Sequence, residues 1–235
     1  MSKRAIILAG GKGTRLKPYT ISLPKPLVPV GEMPIIEIII RQLARNGFDH
    51  VTITINHMAD IIKAFCGNGD KWNLKIDYSL EDKPLSTMGP LKLINDLPEN
   101  FLVMNGDILT DLNYADFFDF HIKNNNNITV SSFVREQNID YGVLEVDEKN
   151  NLIGFKEKPT IQCIVSMGVY MLNRHVLKYI PRNEAYGFDN LMIDLLKAKT
   201  PANIKLFNGF WLDIGRPDDY EKANNELENL KISGL

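Results

Sequence analysis

Residues 5–15 read Ala-Ile-Ile-Leu-Ala-Gly-Gly-Lys-Gly-Thr-Arg. The apolar run Ala5–Ala9 is too short for a helix and stops at glycines, the pattern of a buried strand that delivers a loop. That loop holds Gly10, Gly11 and Gly13 between Lys12 and Arg15, and Leu23-Pro24-Lys25-Pro26 follows soon after. Glycines let backbone N–H groups approach an anion with no Cβ in the way. Arg15 adds a planar, bidentate donor and Lys25 a mobile point charge. Pro24 and Pro26 are expected to hold Lys25 in an extended segment. The spacing fits neither G-x-G-x-x-G nor the P-loop, which needs Lys-Ser/Thr after its last glycine. Glycines, arginine and a proline-flanked lysine together point to a phosphate site.

The rest of the first half alternates strand and helix. Pro34 opens a helix to about Asn46, with Gly47 as its stop. Strands are read at His50–Ile55, Leu74–Leu80 and Phe101–Met104, and helices at Ala59–Phe65 and from Pro90. This order implies a parallel sheet covered on both faces. In the second half strands crowd together, at 128–134, 142–146, 152–157 and 163–172, and look like mixed-sheet material laid against the first half. Helices are expected at 113–123, 173–179, 189–199 and 217–230. Asn124–Asn127 reads as a solvated turn, and neither a linker nor a repeat is found.

Composition narrows the function classes. Of 235 residues, 44% are hydrophobic and 24% charged, which suits a globular chain. A net charge of -2 gives no whole-molecule field to recruit nucleic acid, so any anion site must be local. The longest apolar run, Ile35–Ile40, is broken by Glu37 and cannot span a membrane. With no signal-peptide layout, the chain is expected to be cytoplasmic. Cys66 and Cys163 have no disulfide or metal spacing and read as small core residues. Four scattered histidines form no metal or triad pattern, and Trp211 reads as core.

Nine stretches, taken in order, carry a resemblance: L-A-G-G-K-G-T-R-L-K-P-Y-T from Leu8, L-P-K-P-L-V-P-V from Leu23, P-I-I-E from Pro34, E-D-K-P-L-S-T-M-G-P-L from Glu81, N-G-D ending at Asp107, Y-G-V-L from Tyr141, F-K-E-K-P from Phe155, M-G-V-Y from Met167 and W-L-D-I-G-R-P from Trp211. The set resembles the sugar-1-phosphate nucleotidyltransferases over nearly the whole chain. It looks like a minimal, catalytic-domain-only member similar to the mannose- and heptose-1-phosphate guanylyltransferases.

The resemblance implies an α/β fold, Rossmann-like, with a mixed, mainly parallel central sheet and helices on both faces. It implies one domain over 1–235, with a nucleotide-binding half (about 1–112) and a sugar-binding half (about 113–235). The expected partners are a nucleoside triphosphate and a sugar 1-phosphate, giving a nucleotide sugar and pyrophosphate. Neither nucleic acid nor membrane is expected, and pairing into a homo-oligomer stays open.

The resemblance also implies roles. Mg²⁺ is the expected cofactor, with Asp107 and Asp213 as its carboxylate ligands. Arg15 would hold the triphosphate, and Lys25 would bridge the α-phosphate and the attacking phosphate. Leu8, Gly10, Gly11, Gly13, Thr14, Glu81, Pro84 and Gly89 are assigned to the nucleotide. Gly142, Glu157, Lys158 and Val169 are assigned to the sugar phosphate, with Tyr141 beside them. Relatives commonly read L-G-T-A-G where this chain has Leu85-Ser86-Thr87-Met88-Gly89, and Met167 stands where an asparagine or small residue is common.

An ionised Glu81 only accepts hydrogen bonds. Guanine offers such a carboxylate two adjacent donors and uracil or thymine one, which favours GTP. UTP or dTTP, or CTP with a small non-sugar phosphate, are the alternatives. A binding module with a decayed site would have lost Arg15, Lys25, Asp107 or Asp213, and all four are present.

Overall fold

The computed structural model describes residues 2–227. Strand β1 (Arg4–Leu8) leads through three 3-10 turns, Thr14–Leu16, Tyr19–Ile21 and Lys25–Leu27, to the small ribbon of β2 (Pro29–Val30) and β3 (Met33–Pro34). Then come α1 (Ile35–Arg45), β4 (His50–Ile55), α2 (Ala59–Cys66), β5 (Lys75–Leu80), β6 (Asn100–Asn105) and β7 (Ile108–Thr110). The second half runs α3 (Tyr114–Lys123), β8 (Ile128–Asn138), β9 (Val143–Val146), β10 (Leu152–Lys156), β11 (Thr160–Asn173), α4 (Phe188–Lys197), β12 (Asn203–Phe207), β13 (Trp211–Asp213) and α5 (Pro217–Leu227). Two further 3-10 helices cover Gly89–Leu93 and Arg174–Tyr179.

Seven strands form one sheet in the order β12-β8-β11-β6-β1-β4-β5. Only β11 runs against its neighbours, pairing antiparallel with both β6 and β8. The second-half strands therefore extend the first-half sheet; they are not laid against it. Alternation along β1 sends Ala5 and Ile7 into one core and Ile6 into the other. One face carries α1, α2, α3 and α5, and the other carries α4 and the 3-10 helices at 89–93 and 174–179. Helix α1 sinks five isoleucines and Leu43 into the first core, each with no exposed surface and each contributing roughly 2 kcal/mol or more. Among the described residues no helix is long and apolar enough to cross a membrane.

Several expectations are corrected. Lys25 opens a 3-10 turn after an extended Pro24 and is not itself in an extended segment. The turn is local: Leu27 N–H donates to Pro24 C=O at 2.8 Å. Cys66 is buried as expected, but Cys163 is exposed. It lies on the outer half of β11, which pairs with the outer half of β8 as an exposed arm. The strands at 142–157 form a separate β9–β10 hairpin on that arm. Trp211 does pack against the first core, but it is only half-buried, at a cavity edge, with its Nε1–H donating to Met167 C=O. Asn126 is buried, its amide donating to Thr129 Oγ1 at 2.9 Å, so the asparagine run is only partly solvated. The short edge strand β12 went unread, and residues 228–230 of the last expected helix lie outside the described residues.

His121, buried on α3, belongs to the fold's polar interior. Its Nε2–H donates to Asn100 Oδ1 at 3.2 Å, and its Nδ1 accepts from Thr129 Oγ1 at 2.8 Å. Burial pushes the imidazole down from 6.5 to about 4. The unfolded chain therefore takes up a proton that the folded chain refuses as pH falls through this window. Wild-type stability should drop by about 3 kcal/mol more than that of His121→Asn between pH 7 and pH 4. Urea unfolding of both proteins across that range measures it, and parallel pH profiles would refute it.

Candidate active site

Sheet topology decides where the site forms. β1 pairs in parallel with β4 on one side and β6 on the other, so the chain reverses its direction of growth at β1. In such sheets a crevice opens beyond the C-terminal strand ends at that point. Leu8, Thr54 and Asn105 end these three strands or nearly so, and all line a cavity of about 310 Å³. Gly10, Gly11, Glu81, Pro84 and Asp107 complete most of its wall.

Glu81 is fixed from several directions. Its N–H donates to Ile55 C=O, and its C=O accepts from Asn56 Nδ2 at 2.6 Å. Its Oε2 accepts from Leu85 N–H at 3.2 Å. Burial raises the carboxyl above its ordinary range, against the pull of that hydrogen bond. A Cβ at position 10 would fall 2.6 Å from Glu81 Oε1, so glycine there lets the carboxylate face the cavity.

The glycine loop and the proline-flanked lysine prove to be one construction. Gly13 has φ +60°, and Thr20 Oγ1 donates to its carbonyl at 2.8 Å. A Cβ there would lie 3.0 Å from Lys25 Cβ, so the loop's handedness and the lysine's seat share one space. Lys25 Nζ in turn forms an ion pair with Asp107 Oδ2, both side chains being largely buried.

Asp107 sits in the turn from β6 to β7, and Asp213 ends β13. The antiparallel β7–β13 pairing sets Asp213 opposite Ile108, and Ile214 N–H donates to Asp107 C=O at 3.0 Å. Residues 106 positions apart are thereby neighbours. The Asp213 carboxyl is pushed up, first by loss of water in the cleft and next by the charge of Asp107, while Lys25 and Arg15 oppose the shift. Asp107 Oδ1 is buried with no hydrogen-bond partner. A paired set of hard oxygens, one of them unsatisfied, fits a divalent cation completed by solvent or phosphate. Among the described residues no group of three or more His, Cys, Asp or Glu could hold a metal, so protein ligands would number two here.

A second cavity of about 420 Å³ is lined by Asp213, as the first is by Asp107. Arg15 and Asp213 line it, with Trp211, Phe133, Arg135 and Arg216. The Arg15 guanidinium comes within 3.5 Å of where a Cβ on Gly215 would stand.

Arg15, Lys25, Asp107, Asp213, Leu8, Gly10, Gly11, Glu81 and Pro84 are thus brought to one cleft. Gly13 and Thr14 shape its loop but line neither cavity. Gly89 stands buried behind the wall, its N–H donating to Tyr186 C=O. Met88 points into the second core, so its bulk does not reach the cavity. Ser86 does line it, with φ +64°. Gly142 and Glu157 adjoin each other on the β9–β10 hairpin, Lys158 follows at φ +44°, and none of the three lines either cavity. Val169 is wholly buried, offering at most its backbone. Thr54 and Asn105 also line the first cavity and Arg135 the second, though the sequence assigns none of them a role; strand ends bring the first two there, and Arg135 arrives on β8 two residues beyond Phe133, which packs on Trp211.

Residues 4–229 match the family described as nucleotidyl transferase. Over 99% of its length the chain is 29% identical to a UTP–glucose-1-phosphate uridylyltransferase of Synechocystis, covering 66% of that protein. Over 95% of its length it is 30% identical to a mannose-1-phosphate guanylyltransferase of Mycobacterium tuberculosis, covering 64% of it. It therefore spans a little under two thirds of the length of these curated relatives. HddC from Yersinia pseudotuberculosis, solved in complex with GMP-PN, superposes with a TM-score of 0.71 at 26% identity, over 96% of this chain and 99% of that one.

The carboxylate pair makes a direct prediction. Asp107→Asn removes a negative neighbour and frees Lys25, and both changes favour the ionised form of Asp213. The Asp213 carboxyl should titrate lower in the variant, as read by ¹³C NMR without divalent cation. An unchanged titration would mean that burial alone sets its affinity for the proton.

Proposed function

The chain belongs to the nucleotidyl transferase family, and from that membership we propose that it transfers a nucleotidyl group from a nucleoside triphosphate to a sugar 1-phosphate. The observation that carries the proposal is the meeting of Lys25, Asp107, Asp213 and Arg15, with Asp107 lining one cavity and Asp213 and Arg15 the other. An acceptor phosphate oxygen bonds to the α-phosphorus, the bond to the β-phosphate oxygen breaks, and pyrophosphate leaves. Two anions must meet, so the demand on the protein is neutralisation and alignment.

Lys25 is set against the carboxylate pair and can shift from Asp107 to phosphate oxygens as charge builds there. Arg15 reaches the phosphates from the glycine loop. Asp107 and Asp213 are the residues that would hold Mg²⁺, which when bound supplies charge neutralisation between the reacting phosphates. The cavity lined from Leu8 to Asp107 takes the nucleoside, in keeping with a nucleotide-binding half over about 1–112, and the acceptor sugar is left to residues of the second half. A free triphosphate pool is a cytoplasmic resource, which fits the assignment to that compartment.

GTP is the favoured nucleotide. Glu81 presents an acceptor-only carboxylate to this cavity when ionised. The Mycobacterium relative is named a guanylyltransferase and the Yersinia structure holds GMP-PN, although the Synechocystis relative is named a uridylyltransferase.

The test follows pyrophosphate release with Mg²⁺, each of five nucleoside triphosphates, and a panel of hexose and heptose 1-phosphates. Release is expected with GTP and one sugar, and Asp107→Ala should abolish it. Release only with CTP and a non-sugar phosphate would overturn the acceptor assignment. Glu81→Gln removes one of the two acceptors that guanine's N1–H and N2–H would share, whereas uracil's single N3–H needs only the one that remains. Its kcat/KM ratio of GTP to UTP should fall by at least about tenfold. An unchanged ratio would remove Glu81 from base selection.

A further inference from the structure

The second cavity holds more positive charge than the reading above uses. Arg15, Arg135, Arg216 and Lys222 all line it, against two carboxylates, Asp213 and Asp219. Among the described residues none of these four cations forms an ion pair. Four like charges around one space repel one another, and a bound polyanion offsets that cost.

The cations are seated by different parts of the fold. Phe133 and Arg135 lie two apart on β8 and so on one side of it. Phe133 packs on Trp211 with ring centroids 5.6 Å apart, and Trp211 is tied to Met167 C=O at 3.0 Å. Arg135 is therefore carried on an anchored stretch of strand. Lys222 and Asp219, three apart on α5, share a helix face. Arg216 immediately precedes that helix.

We propose that Arg135, Arg216 and Lys222, with Arg15, form a cationic ring that binds the β- and γ-phosphates of the triphosphate and retains them as pyrophosphate after transfer. This rests on the reaction proposed above. If the base occupies the first cavity and the α-phosphate lies at the carboxylate pair, the remaining phosphates lead into the second cavity. Arg15 already belongs to both the glycine loop and this space. The charge count agrees: the ring carries a formal excess of two positive charges even with both carboxylates ionised. Pyrophosphate carries more charge than one acceptor phosphate and calls for more cations.

The experiment compares the wild type with the double variant Arg135→Gln/Lys222→Gln and the conservative double variant Arg135→Lys/Lys222→Arg. Binding of Mg²⁺-pyrophosphate is measured by calorimetry. KM for pyrophosphate is measured in the reverse direction, and KM for sugar 1-phosphate in the forward one. Loss of a charge-assisted hydrogen bond is worth about tenfold in affinity. The glutamine variant should bind pyrophosphate at least that much more weakly and show a matching rise in its KM. The KM for sugar 1-phosphate should stay within about twofold of wild type, and the conservative variant should recover most of the loss. Thermal melting checks that both variants fold. If the glutamine variant fails to fold, each single substitution is measured in its place. A rise in the sugar-phosphate KM with pyrophosphate binding unchanged would give the cavity to the acceptor and overturn the proposal. Equal rises in both, or no change in either, would overturn it as well. Wild type that binds pyrophosphate through these residues but transfers no nucleotide would sink the reaction and leave the ring standing.

Discussion

Two carboxylates set side by side in a cleft repel each other, and the folded chain must hold them there. Asp107 and Asp213 meet because β13 pairs with β7, not because either has an affinity for the other. Lys25 meets the Asp107 side of the pair and Arg15 lowers the cost on the Asp213 side. The glycine loop, the 3-10 turn at Lys25 and the short β7–β13 ladder all answer to that one electrostatic requirement. Remove the cations and the ladder would hold an uncompensated pair. Remove the ladder and the cations would have nothing to bind.

Much of the fold was legible because hydrophobic patterning reports burial directly. Ala5–Ala9 and Phe101–Met104 are apolar throughout since both faces of the sheet are covered, and each ends in the loop the sequence marks with glycine. The pattern failed where burial stops. Cys163 reads as core by residue type, yet the outer half of β11 has no layer above it. β12 is an edge strand with Ile204 and Leu206 exposed, so composition gives it no inward face to recognise. Lys25 was misjudged because proline's effect on its predecessor is a preference, and a local hydrogen-bonded turn overrode it.

The site was legible in a different way. Motif order singled out Arg15, Lys25, Asp107 and Asp213 as candidates, and the folded chain brings those four together. What motifs cannot carry is adjacency between distant strands. Arg135 has no local signal at all, being one charged residue among several on an exposed strand. It reaches the second cavity because β8 passes beside Trp211. Met88 is the reverse case: it stands inside one of the motif stretches, but the chain turns its side chain into the core.

The two cavities draw on almost separate lengths of chain. The first uses residues between Leu8 and Asp107, and the second uses Arg15 together with residues between Phe133 and Lys222. No lining residue is common to both; the β7–β13 pairing sets Asp107 of the first beside Asp213 of the second. Changes on the two sides share few neighbours, so their free energies should be close to additive. A lineage, or an engineer, can therefore revise what one cavity accepts while leaving the other as it was.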